Sequence, residues 1–412
     1  MTFHDLIEEP KILKALEDLG YTQPTPIQKQ GIPLILTGCD LRGSAQTGTG
    51  KTAAFILPAL CKLAKPSQTH HGRGPRIVIL VPTRELAIQV AEEATKYSKY
   101  LDRIKTVCIY GGAPYPIQNR QLARPYEILV ATPGRLIDHM NRGKINFSRV
   151  EMFILDEADR MLDMGFIGPV EEIAESIPES RQTLMFSATL KGSVMRLSER
   201  LLKNPQEITI AHDPAKHDNI DQRLHHVDNL EHKYKLLDHI LSGKDITQAI
   251  VFTRTKHHAD QLVDKLIKKG FHAGALHGNM NQRQRTKTIL RLRHGELRIL
   301  VATDVAARGI DIPAISHVIN FDLPENEEDY VHRIGRTGRA GATGTALSFA
   351  TSKEMGFVRQ IEKFTRQKMS PHTISGLEPR TKTHTSSTPG FVSQGNFRPK
   401  QKKNHFRRFS RR

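Results

Sequence analysis

Two short stretches hold residue types that together could handle a nucleoside triphosphate. The first is Ala45-Gln46-Thr47-Gly48-Thr49-Gly50-Lys51-Thr52. A glycine-rich turn feeding a helix aims backbone N–H groups, and the positive end of the helix dipole, at an anion. Lys51 then suits the β- and γ-phosphates, and the Thr52 hydroxyl suits Mg²⁺. The general phosphate-loop pattern opens on Gly, where this chain has Ala45, so this stretch does not decide the matter alone. The second is Asp156-Glu157-Ala158-Asp159, directly after the apolar run Met152–Leu155. In an open parallel sheet, ligands bind beyond the carboxyl ends of the strands. A carboxylate there, Asp156, can hold Mg²⁺, and its neighbour Glu157 can orient or deprotonate an attacking water. The same four residues could be an acidic helix cap and nothing more. The phosphate loop upstream favours the catalytic reading.

A third stretch, His332-Arg-Ile-Gly-Arg336-Thr-Gly-Arg339, sets four cations in eight residues, spaced by glycines. Such a cluster is costly without an anion. Placed across a cleft from the phosphate loop, Arg336 and Arg339 could neutralise charge building on a γ-phosphate.

These residues need rigid elements to hold them. Arg76–Val81, Glu127–Ala131, Met152–Leu155 and Thr183–Phe186 are continuous apolar runs, as strands covered on both faces of a parallel sheet should be. Between them, Glu85–Tyr97 and Val170–Ile177 have helical spacing. A second series follows a polar stretch: Ala249–Phe252, Arg298–Ala302, His317–Phe321 and Thr345–Phe349. The string ILVAT occurs at Ile128–Thr132 and again at Ile299–Thr303. The expectation is an α/β protein of two similar parallel-sheet domains, residues 1–208 and 221–370, joined by a linker at 209–220. Residues 371–412 are read as a disordered tail. From Arg380 to Arg412 it has ten Lys or Arg, no Asp or Glu, and isolated Phe391, Phe397, Phe406 and Phe409. Basic residues interleaved with aromatics suit a loose nucleic-acid tether.

The 412 residues suit two cores and a tail, and 38% hydrophobic with 25% charged residues provides conventional cores. A net charge of +18 calls for a polyanionic partner. A membrane is the weaker candidate for that partner. The apolar stretch at Ala53–Leu57 stops at Pro58, and the N-terminus has Asp5, Glu8 and Glu9 where a signal peptide would have basic residues. Cys39, Cys61 and Cys108 lack paired spacing and read as reduced thiols of a cytoplasmic protein. His70–His71, His225–His226 and His257–His258 lack ligand-spaced partners and read as surface residues.

Taken together, these motifs closely resemble the DEAD-box RNA helicases, over about residues 1–370. In that family AQTGTGKT is the expected phosphate loop, Ala45 included. Phe3 and Gly20–Gln28 resemble the Q motif, which implies that Gln28 reads the adenine edge and Tyr21 stacks on the ring. Pro82–Leu86 (Thr83, Arg84), Gly111–Gly112 and Thr132–Arg135 resemble the RNA-binding motifs of the first domain. Ser187-Ala-Thr189 resembles the segment coupling hydrolysis to strand separation, and His332 opens the arginine-finger motif. Val251–Thr255 and Gln282–Arg285 resemble RNA-contacting motifs of the second domain. Thr303 resembles a further RNA contact, while Gly309 and Asp311 fall in the segment that meets the ATP ribose. Short spacers and the basic tail resemble the bacterial RhlE-like branch.

The resemblance implies two tandem RecA-like domains, ATP and Mg²⁺ as ligands, RNA as partner, and a monomer as catalytic unit. The catalytic parts divide between the halves, so hydrolysis should require closure, with RNA and ATP favouring each other's binding. The alternatives are a DNA-directed helicase, a nucleic-acid-stimulated ATPase with little unwinding, and an RNA-binding scaffold using ATP only as a clamp ligand.

Overall fold

The computed structural model describes residues 1–45, 49–65, 73–190, 192–210, 219–243, 245–307, 315–338 and 342–380. The first half contains β1 (Leu41–Ser44), β2 (Ile77–Leu80), β3 (Thr106–Ile109), β4 (Ile128–Ala131), β5 (Met152–Leu155), β6 (Gln182–Ser187) and β7 (Gln206–Thr209). They form one parallel sheet in the order β3-β4-β2-β5-β6-β1-β7. The second half contains β8 (Ile220–His226), β9 (Ala249–Phe252), β10 (Ala273–Leu276), β11 (Ile299–Ala302), β12 (His317–Asn320), β13 (Gly344–Ala350) and β14 (Ser370–Pro371). Its order, β10-β11-β9-β12-β13-β8-β14, repeats the first plan strand for strand. The two ILVA strings are β4 and β11, which hold equivalent places.

The central strands are apolar throughout because helices cover both faces. One face of the first sheet packs on Phe55, Leu57, Leu60 and Val90, and the other on Leu136, Met161, Val170 and Leu197. Second-domain faces close similarly over Leu237, Leu262 and Leu266 and over Leu292, Tyr330 and Ile361. Among the described residues, no helix is long and apolar enough to cross a membrane.

Besides β1, which reads Leu-Arg-Gly-Ser, and the two-residue β14, four strands escape an apolar-run search. β3 and β7 are sheet edges, and β10 borders the second sheet, so their side chains are only partly covered. β8 reads Ile-Asp-Gln-Arg-Leu-His-His and pairs with β13 along its full length. Thr209 ends β7 and Ile220 starts β8. Residues 371–380, assigned to the tail by composition, sit against the second domain. The His372 N–H donates to Leu224 O at 2.8 Å, and Ile374 and Leu377 pack on its core. The basic stretch 381–412 lies outside the described residues.

His225 is not a surface residue. It is on β8, buried, with its ring edge-on to Phe349 at 5.9 Å. Burial lowers its pKa from 6.5 to about 4, with His372 adding a smaller push. The unfolded chain takes up this proton near pH 6.5, while the folded ring resists until about 4. Stability is therefore lost as pH falls through that window, by at most about 3 kcal/mol. Thermal melts from pH 7 to 4 should show this slope, and His225→Leu should flatten it.

Candidate active site and nucleic-acid interface

The phosphate loop leaves β1, the DEAD segment leaves β5, and β6 lies between them. Neighbouring strand ends therefore bring three motifs together. The Ala45 N–H donates to Ser187 O at 3.0 Å, and Ser44 Oγ donates to Ala188 O at 3.3 Å. The Ala188 N–H donates to Asp159 Oδ2 at 3.2 Å. The Thr189 N–H donates to Ser187 Oγ at 3.3 Å. The Ser187–Thr189 segment thus touches both the phosphate loop and the DEAD carboxylates.

Gly50, at φ 89°, caps the helix Lys51–Ala64. A Cβ there would stand 2.5 Å from Gln28 Nε2, so this close approach requires glycine. Gln28 Nε2 donates to Gly50 O at 3.0 Å, and its Oε1 accepts from the Thr25 N–H at 2.9 Å. Gln28 therefore closes a capping box with Thr25 and fastens the Q segment to the phosphate loop. An adenine edge would have to share or displace those bonds. Tyr21 is 40% exposed, edge-on to Tyr97 at 6.0 Å and to the buried Phe3 at 6.5 Å.

Lys51 and Asp156 are 6% and 2% exposed. Lys51 Nζ lies 3.9 Å from Asp156 Oδ1 and has no hydrogen-bond partner among the described residues. Burial lifts the Asp156 carboxyl to about 6, against the pull of Lys51 and with a further push from Glu157. Glu157 adopts φ 53°, left-handed for a residue with a Cβ, a strain of about 1–3 kcal/mol. That turn starts the helix Ala158–Asp163 and keeps both carboxylates at the sheet end. Thr49 is buried beside Lys51, and Thr52 occupies the first turn of the following helix.

The second domain faces this site with the helix Glu327–Ile334 and the turn beyond it. His332 is half-buried, and its Nδ1 has no hydrogen-bond partner among the described residues. Arg336 is buried in the turn. Arg333 belongs to its own domain, gripping Asp304 through two contacts of 2.6 and 2.7 Å. The anion demanded by that cation is therefore internal. Gln46, Thr47, Gly48, Gly309, Asp311 and Arg339 lie outside the described residues.

On the other side of the cleft, a cavity of about 500 Å³ is lined by Thr83, Arg84, Glu85, Gly111, Thr132 and Arg135 together with Gly278, Met280 and Arg285. Gly112, at φ 87°, runs so close to Arg84 that a Cβ would stand 2.4 Å from Nη1. Arg135 Nη1 donates to Ala113 O at 2.9 Å and to Gln118 Oε1 at 3.0 Å. The two domains use equivalent positions here. Thr83 after β2 and Thr255 after β9 both cap helices, accepting from Leu86 and His258 N–H groups. Thr132 and Thr303 follow β4 and β11. Of the expected nucleic-acid contacts, Thr83, Arg84, Thr132, Arg135 and Arg285 line the cavity. Gly112, Gln282, Thr255 and Thr303 lie outside its lining.

Ion pairs cross the cleft on both sides. Arg285 Nε donates to Glu85 Oε1 at 2.7 Å, with Gln282 Nε2 at 3.4 Å from the same oxygen. Arg160 Nη1 donates to Asp329 Oδ1 at 2.7 Å. Glu85, Arg160 and Asp329 were not singled out by motif reading. Their only sequence signal is adjacency, to Thr83-Arg84, to the DEAD segment and to His332.

The same architecture recurs in known proteins. Residues 25–197 match the DEAD/DEAH box helicase model, and residues 232–341 match the helicase conserved C-terminal domain. The chain is 45% identical over 377 residues to the ATP-dependent RNA helicase DeaD of Mycobacterium tuberculosis, covering 92% of this chain and 66% of that protein. It is 43% identical over 368 residues to the DEAD-box ATP-dependent RNA helicase CshA of Bacillus cereus, covering 89% of this chain and 69% of the relative. Among solved structures, Saccharomyces cerevisiae Dbp5 bound to RNA and ADP BeF3 superposes with a TM-score of 0.81. That pair shares 30% identity, over 90% of this chain and 95% of the other. With the DEAD carboxylates beside Lys51 and the motifs of both halves facing one cleft, this chain belongs to the DEAD-box ATP-dependent RNA helicase family.

Proposed function

We propose that this protein is an ATP-dependent RNA helicase that clamps RNA between its two domains and locally opens short duplexes. The observation that carries the reading is the division of the site. Lys51, Asp156 and Glu157 lie on one side of the cleft and Arg336 on the other, with charged pairs holding the halves together. Neither half is complete, so the closed state is the competent one.

Lys51 Nζ, buried and without a hydrogen bond among the described residues, is suited to a phosphate oxygen. Asp156 at about pKa 6 is a carboxylate short of positive charge, which fits a divalent cation held with Thr52. Mg²⁺ bound there would neutralise charge on the phosphates. Glu157, fixed by its left-handed turn, accepts the proton of the attacking water or orients it. Arg336 meets the γ-phosphate from the second domain, a role that the motif also gives to Arg339. Gln28 and Tyr21 select adenine, Phe3 supports Tyr21, and Ala45 to Thr52 cradle the phosphates with Gly309 and Asp311 at the ribose. His332, Ser187 and Thr189 relay closure to the strand-separating surface.

RNA runs along the other side of the cleft, over Thr83, Arg84, Gly112, Thr132 and Arg135 and then Thr255, Gln282, Arg285 and Thr303. Backbone amides, hydroxyls and guanidiniums there suit phosphates and 2′-hydroxyls, which favours RNA over DNA without reading sequence. The catalytic unit is a monomer acting in the cytoplasm, the basic tail tethers RNA, and the short spacers and tail favour the RhlE-like branch. The test is phosphate release from Mg-ATP with RNA and with single-stranded DNA of matching sequence. Stimulation by RNA alone is expected. Equal stimulation by DNA would overturn the RNA assignment.

A further inference from the structure

The helix that begins after Glu157 meets the second domain through one buried ion pair. Arg160 Nη1 donates to Asp329 Oδ1 at 2.7 Å, with side chains 5% and 7% exposed. The same nitrogen donates at 3.3 Å to Asp163 Oδ2, on its own helix, and that carboxylate is 51% exposed. Asp329 is itself held rigidly. Its Oδ2 accepts from Asn326 Nδ2 at 3.1 Å, and its N–H donates to Asn326 Oδ1 at 2.8 Å. Arg160 therefore has one partner in each domain. The cross-domain partner stands one turn before His332, on the helix that leads to Arg336.

We propose that Arg160 is the closure latch of this protein, a positioning residue that pairs with Asp163 when the domains part and shifts its shorter bond to Asp329, keeping Asp163 at 3.3 Å, as they close. The inference rests on the two-domain clamp proposed above. A buried guanidinium left without an anion is strongly unfavourable, so a residue paired only across the cleft would resist opening. Asp163 removes that obstacle by accepting the charge when the domains part. The result is an element with two discrete arrangements, which ligands on either side of the cleft can bias. In the closed arrangement the pair sets the register of the His332–Arg336 segment against Glu157, so that the water-orienting carboxylate and the finger meet the same phosphate. Asp329 is not among the residues assigned above to nucleotide or RNA. Its effect should appear only in steps that need closure.

The experiment is a double-mutant cycle of Arg160→Met and Asp329→Asn, with Asp329→Glu and Asp163→Asn as further arms. Labelled single-stranded RNA is titrated with and without a non-hydrolysable ATP analogue, and each variant is melted to confirm folding. Each single change should weaken analogue-dependent RNA binding about tenfold or more while sparing binding without nucleotide. The double variant should be no worse than either single one. Asp329→Glu should restore much of the loss. Asp163→Asn should act in the opposite direction, tightening analogue-dependent binding and slowing RNA release, because it removes the partner of the open state. Additive losses, equal losses with and without the analogue, or an Asp163→Asn that weakens binding would each overturn the latch. If the unmodified protein shows no analogue-dependent affinity, the clamp fails and the latch with it. If it does and the variants match it, only the latch fails.

Discussion

Replacing Lys51 with Ala is expected to lower ATP turnover by at least about 10²–10³-fold. Lys51 Nζ is buried at the phosphate loop, without a hydrogen-bond partner among the described residues, and 3.9 Å from Asp156. Its charge serves two ends that no neighbour replaces. On the proposed reading it meets phosphate oxygens, and it opposes the burial that lifts the Asp156 carboxyl to about 6. Without Lys51, Asp156 should hold its proton to higher pH and lose its value as a cation ligand near neutrality. The fold should survive, because protonation spares the site an unpaired buried charge. Phosphate release with saturating RNA checks the prediction, and a thermal melt confirms the folded state. Undiminished turnover would remove the phosphate-site assignment.

Glu157→Gln should have an equally large effect of a different kind. Gln is close in shape and can keep the left-handed turn at φ 53°, so nucleotide and RNA should still bind. It cannot accept a proton, so hydrolysis should stall with the domains closed. RNA should then leave the ATP complex far more slowly than from the unmodified protein, which competitor-chase experiments measure directly. Rapid RNA release from this variant would contradict the water-activating role.

Much of this arrangement can be read from the chain because its signals are local. Continuous apolar runs mark strands buried on both faces, and the ILVA echo marks equivalent strands β4 and β11 of two domains with one plan. The phosphate loop and the DEAD segment are legible because each sits at a strand end, and geometry then leaves few places for them. What escaped depends on partners distant in sequence. β3, β7 and β10 are edge or border strands with mixed faces, and β8 is polar yet interior because β13 and β14 flank it. His225 took its burial from that placement. Arg333 looked like one more cation awaiting a phosphate, but Asp304 had already claimed it.

Gln28 shows how a local signal can carry a second meaning. Thr25-Pro-Ile-Gln28 is a helix capping box, and the amide groups that close it are the ones proposed to read adenine. The second domain also echoes the Lys51–Asp156 pair. Lys233 Nζ lies 3.0 Å from Asp322 Oδ1, on the helix after β8 and the loop after β12. There burial would raise the Asp322 carboxyl, but His258, Lys233 and the Arg254 N–H hold it well below the usual range. The pair fastens the loop before Thr255, where its first-domain counterpart stands open to a ligand.

The measurement that tests the central claim most directly is thermodynamic coupling across the cleft. RNA affinity is determined with and without a non-hydrolysable ATP analogue, and the affinity for that analogue is determined with and without RNA. If closure assembles both sites, each ligand should tighten the other by the same factor, at least about fivefold. Two affinities indifferent to each other would mean that the domains bind independently and that the facing motifs do not form one machine.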